Sequence, residues 1–164
     1  MKKVIVIVLG LVVLTSAPAV AMAADLTDKQ KSQIAESCQA AQSTLQRISN
    51  SDTTTRINRG RDYDQVLKLF YTMNTRAASN NLTEPKLAEI TKNFENALNG
   101  FRADYNRYND HLKSAYEINC KNQVANFYDN LSKTRDGRAV INADIVVLDN
   151  LINEYQLVVG GLAP

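Results

Sequence analysis

The sequence predicts an all-α protein, an elongated antiparallel three-helix bundle of the coiled-coil type that follows an N-terminal signal peptide. Two observations support this fold class. Apolar residues recur at alternating steps of three and four along three long segments, which is the spacing of one helix face. Residues that break helices are scarce in the interior, where Pro85 is the only proline between Pro18 and the final residue.

Residues 1–23 have the layout of a secretory signal peptide. Lys2 and Lys3 precede an unbroken apolar run, VIVIVLGLVVL, and Ala21 and Ala23 then form the small-residue pattern of a cleavage site. We therefore expect cleavage and an extracytoplasmic location. The alternative is a retained membrane anchor, because twenty mostly apolar residues just span about 30 Å of hydrocarbon.

Residues 24–164 are expected to form a single helical domain. About 140 residues suffice for one hydrophobic core but not comfortably for two. The chain has 19 Lys and Arg against 17 Asp and Glu, and two of the lysines lie in the signal segment. The exported part is therefore neutral, whereas a nucleic-acid-binding protein normally has a basic excess. We expect no nucleic-acid partner.

The first helix is expected over about 27–79, with an interruption. The apolar positions before the interruption are Ile34, Cys38, Ala41, Leu45 and Ile48. The stripe then turns polar as far as Asp62 and resumes at Val66, followed by Leu69 or Phe70. Because residues 49–55 (SNSDTTT) are poor helix formers, we expect a kink or break there.

Two further helices are expected, over about 84–118 and 122–159. The turn between the first two is marked by Asn80 and Asn81, and Pro85 fits the first turn of a helix, where its missing N–H costs nothing. The predicted stripe of the second helix is Leu87, Ile90, Phe94, Leu98, Phe101, Tyr105, Tyr108, Leu112 and Ala115. That of the third is Val124, Phe127, Leu131, Thr134, Arg138, Ile141, Ile145, Leu148, Ile152, Tyr155 and Val159.

The two cysteines, Cys38 and Cys120, are expected to form a disulfide. An even pair in an oxidising compartment favours a bridge over free thiols. If the turn centres on Leu82, the cysteines lie 44 residues before it and 38 after it, a mismatch of about 9 Å along the helix axis. A metal site is not expected, because the only histidine, His111, is not at a zinc-ligand spacing from Cys120.

A polar layer is expected across the middle of the bundle, in which Arg138 meets Asp52. Thr134 and Arg138 interrupt the apolar seam of the third helix at the height where the first helix has Asp52 and Thr55. Asp104 of the second helix falls near the same height. A charge on a seam costs several kcal/mol unless it is paired, and such layers fix register. The alternative is that Arg138 extends to solvent.

No arrangement of residues predicts catalysis. One histidine excludes most Ser–His and Cys–His pairs unless His111 is itself the base. The run Asn58-Arg59-Gly60-Arg61 has one glycine, fewer than a phosphate-binding loop needs, so Gly60 is interpreted as a bend or a close helix approach. The tyrosines are interpreted as core residues rather than a recognition surface for glycan or peptide. We expect no enzyme activity and no cofactor.

Several runs of the exported part occur together in a characteristic order. They are CQAAQSTLQRI (38–48), RINRGRDYD (56–64), NNL (80–82), YNRYNDHLKSAYEINC (105–120), FYDNLSKTR (127–135) and LDNLINEY (148–155). In this order the chain resembles uncharacterised exported helical proteins of candidate-phyla bacteria, of the Saccharibacteria kind. Those proteins often have a proline a few residues after the second cysteine, where this chain has Val124. The resemblance implies export and a helical fold, and brings no activity, ligand or site residue.

The sequence thus favours an exported, non-enzymatic protein of the cell envelope or surface that acts through contact with an unidentified protein partner. An elongated bundle exposes much surface relative to its core, which suits contact better than a pocket. The alternative is a periplasmic-type binding or chaperone module that holds an apolar client against the tyrosine-rich helix. In either case, membrane attachment is expected only through an uncleaved signal segment.

Overall fold

The computed structural model describes residues 26–82 and 84–161, which form three helices. They are α1 (Asp28–Ser79), α2 (Pro85–Glu117) and α3 (Val124–Gly161). Each is antiparallel to the next, so the predicted all-α three-helix bundle is confirmed. At about 1.5 Å per residue, α1 alone is roughly 78 Å long, which makes the bundle elongated. The predicted cleavage-site residues Ala21 and Ala23 lie outside the described residues.

The observed helix ends lie within two residues of the predicted ones. α1 begins after Thr27, whose hydroxyl accepts from the backbone N–H of Gln30 while the Gln30 side chain accepts from the N–H of Thr27. This reciprocal pair is a capping box. α3 starts and ends two residues later than expected, and both Gly160 and Gly161 are helical rather than stopping the helix at Val159.

The interruption expected in residues 49–55 is absent, and α1 is continuous through this stretch. Each of its three threonines donates its hydroxyl to the carbonyl oxygen four residues earlier, at 2.8 to 3.3 Å. The Tyr105 hydroxyl of α2 also donates to the carbonyl oxygen of Asp52, at 2.6 Å. The threonine hydroxyls are therefore satisfied within the helix, and the weak helix propensity is offset by tertiary contacts such as the hydrogen bond from Tyr105.

α2 supplies half of the buried apolar residues, more than either of the other helices. All nine positions of its predicted stripe are buried, and Phe94, Leu98 and Leu112 have no exposed surface. α2 packs along both other helices, whereas α1 and α3 touch each other only along a narrow line. The central helix must therefore be apolar along its whole length, which is why its stripe has no polar interruption.

The apolar stripe of α1 differs from the prediction in its second half. Tyr63 and Phe70 are buried, whereas Asp62 is exposed and Leu69 is 53% exposed. The Tyr63 ring packs edge-on against Phe94 of α2, with ring centroids 6.0 Å apart. The large rings occupy the core positions because they fill the space beside α2, and their neighbours are turned outwards.

Cys38 and Cys120 form the predicted disulfide, with Cα atoms 5.8 Å apart. Both cysteines are buried, and the bridge joins the beginning of α1 to the connection between α2 and α3. Nearby, the Gln42 side-chain amide donates to the carbonyl oxygen of Ile118 at 2.6 Å, so the end of α2 is also held by a hydrogen bond from α1.

The close helix approach expected at Gly60 lies at Gly137 instead. A Cβ atom placed on Gly60 meets nothing within 4 Å, whereas one placed on Gly137 lies 3.3 Å from the Cβ of Tyr108. The missing side chain at Gly137 lets α3 approach α2 closely at the height of Tyr108. Gly137 thereby helps to place the neighbouring Arg138 against the polar groups described next.

Candidate functional site

The line between α1 and α3 is bridged by polar contacts at three heights. Two of these contacts join residues 86 apart in sequence, and a third joins residues 85 apart. The contacts are Arg138 with Asp52, Tyr63 with Asp149, and Tyr155 with the carbonyl oxygen of Phe70. A nearly constant separation means that the two helices run parallel and in register over this length.

The structure brings Asp52 and Arg138 together, and it adds Tyr108 to them. Asp52 Oδ2 accepts hydrogen bonds from both the Arg138 guanidinium and the Tyr108 hydroxyl. Arg138 also donates to the Tyr108 hydroxyl at 3.2 Å, and its guanidinium lies over the Tyr108 ring, 5.7 Å from the centroid. The Arg138 side chain is 50% exposed and that of Asp52 21% exposed, so this trio lies at the edge of the core.

The other two residues of the expected layer are placed differently. Thr55 is exposed and lines a groove of about 360 Å³ beside the trio. Asp104 does not join the layer, because it pairs with Arg107 one turn further along α2. On a helix, adjacent side chains point about 100° apart. Since the Tyr105 side chain points towards α1, the Asp104 side chain points away from α1 and from Asp52. The sequence analysis did not assign Tyr108 to the polar layer. Its position on the apolar seam of α2, at the height of Asp52 and Arg138, could have indicated that its hydroxyl joins them.

We expect Asp52→Asn and Arg138→Gln to be coupled by about 1 kcal/mol in a double-mutant cycle of urea unfolding. The value is small because half of the Arg138 side chain is in solvent, where ion pairs are weak. The matched control is Lys133→Gln with Asp129→Asn, an exposed pair within α3. Its coupling should be only about 0.3 kcal/mol, as for other pairs one turn apart on a helix surface. Additive effects at positions 52 and 138 would argue against a layer that fixes register.

Four tyrosines of the seams resist ionisation. Burial, followed by the nearby Asp149 carboxylate, raises the pKa of Tyr63 to about 12. Burial, followed by the hydrogen bond to Asp52, raises the pKa of Tyr108. Burial is also the main cause that raises the pKa values of Tyr105 and Tyr155. Each phenol is thus held neutral against α1 or α3.

We expect the protein to be sensitive to alkaline pH. The folded pKa values of these tyrosines lie above the unfolded value of 10.0, so their contribution to stability is complete below pH 10 and falls as the pH rises above 10, in the case of Tyr63 through about 12. Urea unfolding at a series of pH values, with phenolate absorbance in parallel, measures both effects. Tyr63→Phe should flatten the decline. A free energy of unfolding that stays constant up to pH 12 would contradict this interpretation.

A second groove lies along α1 and α3, towards the end of the bundle opposite the disulfide, and extends to Leu82 and to Leu87 of α2. We call it the apolar groove. It consists of two adjoining cavities of about 310 and 300 Å³. The first cavity is lined by Val66, Leu69, Phe70, Met73, Ile152, Tyr155, Gln156, Val159 and Gly160. The second is lined by Met73, Arg76, Ala77, Asn80, Leu82, Leu87 and Val159. Met73 and Val159 are common to both, which makes the groove continuous.

The side of α3 that points away from the core is also apolar. We call this the outer face of α3. Its residues are Ala139, Ala143, Val146, Asn150, Asn153 and Leu157, with Val140 and Val147 beside them. Val146 is 57% exposed and Leu157 78% exposed. The steps of four and three make this face a second heptad seam, opposite the one that packs in the core.

The outer face has no charged residue. Two acidic residues lie at the edges of the outer face, and each has a partner. Asp149 accepts a hydrogen bond from the Tyr63 hydroxyl, and Glu154 forms a salt bridge with Lys86 at 2.9 Å. Sequence reasoning identified only the core seam of α3 and missed this face. The sequence does indicate this face, because it has neither lysine nor arginine from residue 139 to residue 161, although these residues are common on the exposed side of a helix.

The described residues contain neither a group of metal ligands nor a membrane-spanning helix. Within residues 26–82 and 84–161, no three His, Cys, Asp or Glu side chains are grouped so as to hold a metal ion. His111 is half-buried in α2. In the same part of the chain, none of the helices combines the length and the apolar character needed to cross a bilayer. No protein family, no curated protein and no solved structure gives a significant match to this chain.

Proposed function

We propose that this chain is an exported, non-enzymatic helical protein of the cell envelope or surface, and that it acts by binding another protein through the outer face of α3. The observation that supports this most directly is the exposure of valine and leucine side chains along that face. An amphipathic helix is normally polar on its exposed side. Among the described residues, none covers the outer face of α3, although it carries valine and leucine side chains.

The dimensions of the outer face suit a helical partner. From Ala139 to Leu157 the face extends about 27 Å, and its alanines leave room for another helix to approach closely. Asn150 and Asn153 interrupt the apolar side chains in the way that buried asparagines fix the register of coiled coils. Since the face has no charge, the matching surface of the partner should be uncharged too. A second copy of the same face meets this condition.

Export is supported by two independent features. The first residues have the layout of a signal peptide, and the disulfide is of the kind that persists in oxidising compartments. The function of the protein lies in the surface that the helices present.

The test is site-specific photo-crosslinking in the cells that make the protein. A crosslinking residue at Val146 should capture one discrete partner, or a second copy of the chain, identified by mass spectrometry. The matched control is the same residue at Gln46, an exposed position of α1. Leu157→Glu should abolish the capture without altering stability, because Leu157 is 78% exposed in the free chain. Equal capture from Val146 and Gln46 would refute a dedicated contact surface.

The apolar groove favours a second candidate function, the binding of apolar clients. Its lining is almost entirely hydrophobic, as expected for a module that holds unfolded chains. The same crosslinking experiment separates the two candidates. A discrete product from Val146 supports a dedicated partner, whereas many unrelated products from a crosslinking residue at Leu69, on the groove, support a chaperone-like role.

A further inference from the structure

We propose that the apolar groove binds a long-chain fatty acid, with the hydrocarbon chain along α1 and α3 and the carboxylate at Arg76. This inference goes beyond the contact role of the outer face and does not depend on it. The groove lies along α1 and α3, whereas the outer face lies on the far side of α3. Each can therefore be tested without the other.

The shape of the groove fits one extended hydrocarbon chain. Its lining on α1 runs from Val66 to Ala77, a distance of about 17 Å along the helix. This is close to the length of roughly fourteen carbons in an extended chain, taking about 1.2 to 1.3 Å per carbon from ordinary C–C bond geometry. The opposite wall is α3 from Ile152 to Gly160. Around the second cavity the wall facing α1 is formed by Val159 of α3, by Leu82 and by Leu87 of α2.

The groove has few polar groups, and one of them, the Tyr155 hydroxyl, already has its hydrogen-bond partners within the protein. The Tyr155 hydroxyl donates to Asn74 Oδ1 at 2.7 Å, and it lies 3.1 Å from the carbonyl oxygen of Phe70. Tyr155 therefore presents its ring rather than a free hydroxyl to the groove. A ligand that fills the channel needs no hydrogen-bonding groups along its length, which favours hydrocarbon over a sugar or a polar peptide.

The charge of the groove favours an anionic head group. Within residues 26–82 and 84–161, Arg76 is the one charged residue that lines the groove, and no acidic side chain of these residues lines it. Among the described residues, Arg76 takes part in no ion pair. The guanidinium binds carboxylates in a bidentate geometry. Because Arg76 lines the second cavity, beyond Met73, the head group lies at the end of the bundle and the chain runs back towards Val66.

The test is calorimetric titration of the oxidised protein with myristate, below the concentration at which myristate forms micelles. We expect saturable binding of one molecule per chain. Since each methylene that is fully buried strengthens binding about fourfold, octanoate should bind on the order of 50-fold more weakly, allowing for a groove open on one side. Tetradecanol, which has the same chain but no charge, should bind about tenfold more weakly than myristate.

Three variants locate the site. Leu69→Glu, on the rim of the groove and already 53% exposed, should abolish myristate binding; Val147→Glu, 48% exposed on the other side of α3, is its matched control and should leave binding intact. Arg76→Gln should remove the preference for myristate over tetradecanol. Circular dichroism shows whether each variant is folded.

The proposal is overturned if myristate shows no saturable binding below its micelle concentration, as expected if other residues of the chain or a second copy already fill the groove. It is also overturned if Leu69→Glu and Val147→Glu bind equally well, which would mean an unspecific apolar surface. A preference for myristate that survives Arg76→Gln overturns the assignment of the head group, and with it the fatty acid as ligand.

Discussion

Replacing both cysteines with alanine is expected to lower the free energy of unfolding by about 4 kcal/mol. Cys38 and Cys120 are 82 residues apart, and opening a loop of that size increases the conformational entropy of the unfolded chain by an amount worth about 4.5 kcal/mol at most. This is a large part of the stability of a typical domain, which is about 5–15 kcal/mol. Urea unfolding of the oxidised wild type and of the double variant measures the difference.

The single variants provide the control. Cys38→Ala and Cys120→Ala each open the same loop, so each should cost as much as the double variant, apart from small differences in local packing. Hydrogen exchange should accelerate most in the first turns of α1 and in the connection before Val124. A double variant that is as stable as the oxidised protein would show that the remaining contacts near this end, such as the bond from Gln42 to Ile118, suffice to hold it.

The fold was predictable from the sequence because α2 is unambiguous. Every position of its stripe between Leu87 and Ala115 is apolar, and all are buried. A helix that packs against two other helices needs apolar residues at every position of its stripe, so the stripe is continuous in the sequence. A helix that packs against only one other helix can have polar residues in its stripe. This is why the register of α1 was predicted less well, and why Tyr63 could not be distinguished from Asp62 as the inward position.

The pairing of Arg138 with Asp52 could be anticipated because heights along a bundle follow from counting residues. The two bridged cysteines are 82 apart in sequence, and Asp52 and Arg138 are 86 apart. The small difference arises before Val124, in the connection where the chain after Cys120 is not yet helical. Counting residues gives the position of a side chain along the bundle axis but not the direction in which it points. For this reason Asp104 was wrongly assigned to the polar layer.

The candidate surfaces were less predictable than the fold. The outer face of α3 consists of residue types that also occur in cores, so its exposure is known only once the position of α2 is known. The apolar groove depends on the distance between α1 and α3, which are joined by polar contacts at intervals rather than by continuous packing. A distance of this kind is not encoded in the periodicity of either helix.

Tyr155→Ala is expected to lower the free energy of unfolding by about 3–5 kcal/mol, the range for large aromatic residues in a core. Tyr155 is 1% exposed, and its ring stacks on that of Phe70 with centroids 3.7 Å apart and planes 9° from parallel. This stack joins α1 to α3 at the end without a disulfide. Its loss removes packing on both helices at once.

Tyr155→Phe separates the ring from the hydroxyl. It keeps the stack but leaves Asn74 Oδ1 without its donor at 2.7 Å, so we expect a loss of about 1–1.5 kcal/mol. Tyr128→Ala, at a position 37% exposed on the same helix, is the control, with a change within about 0.5 kcal/mol. Urea unfolding measures all three variants. If Tyr155→Phe and Tyr155→Ala lower the free energy of unfolding equally, the hydrogen bonds of the hydroxyl rather than the ring stack hold α1 against α3. The walls of the apolar groove beside Tyr155 would then be held in place by hydrogen bonds.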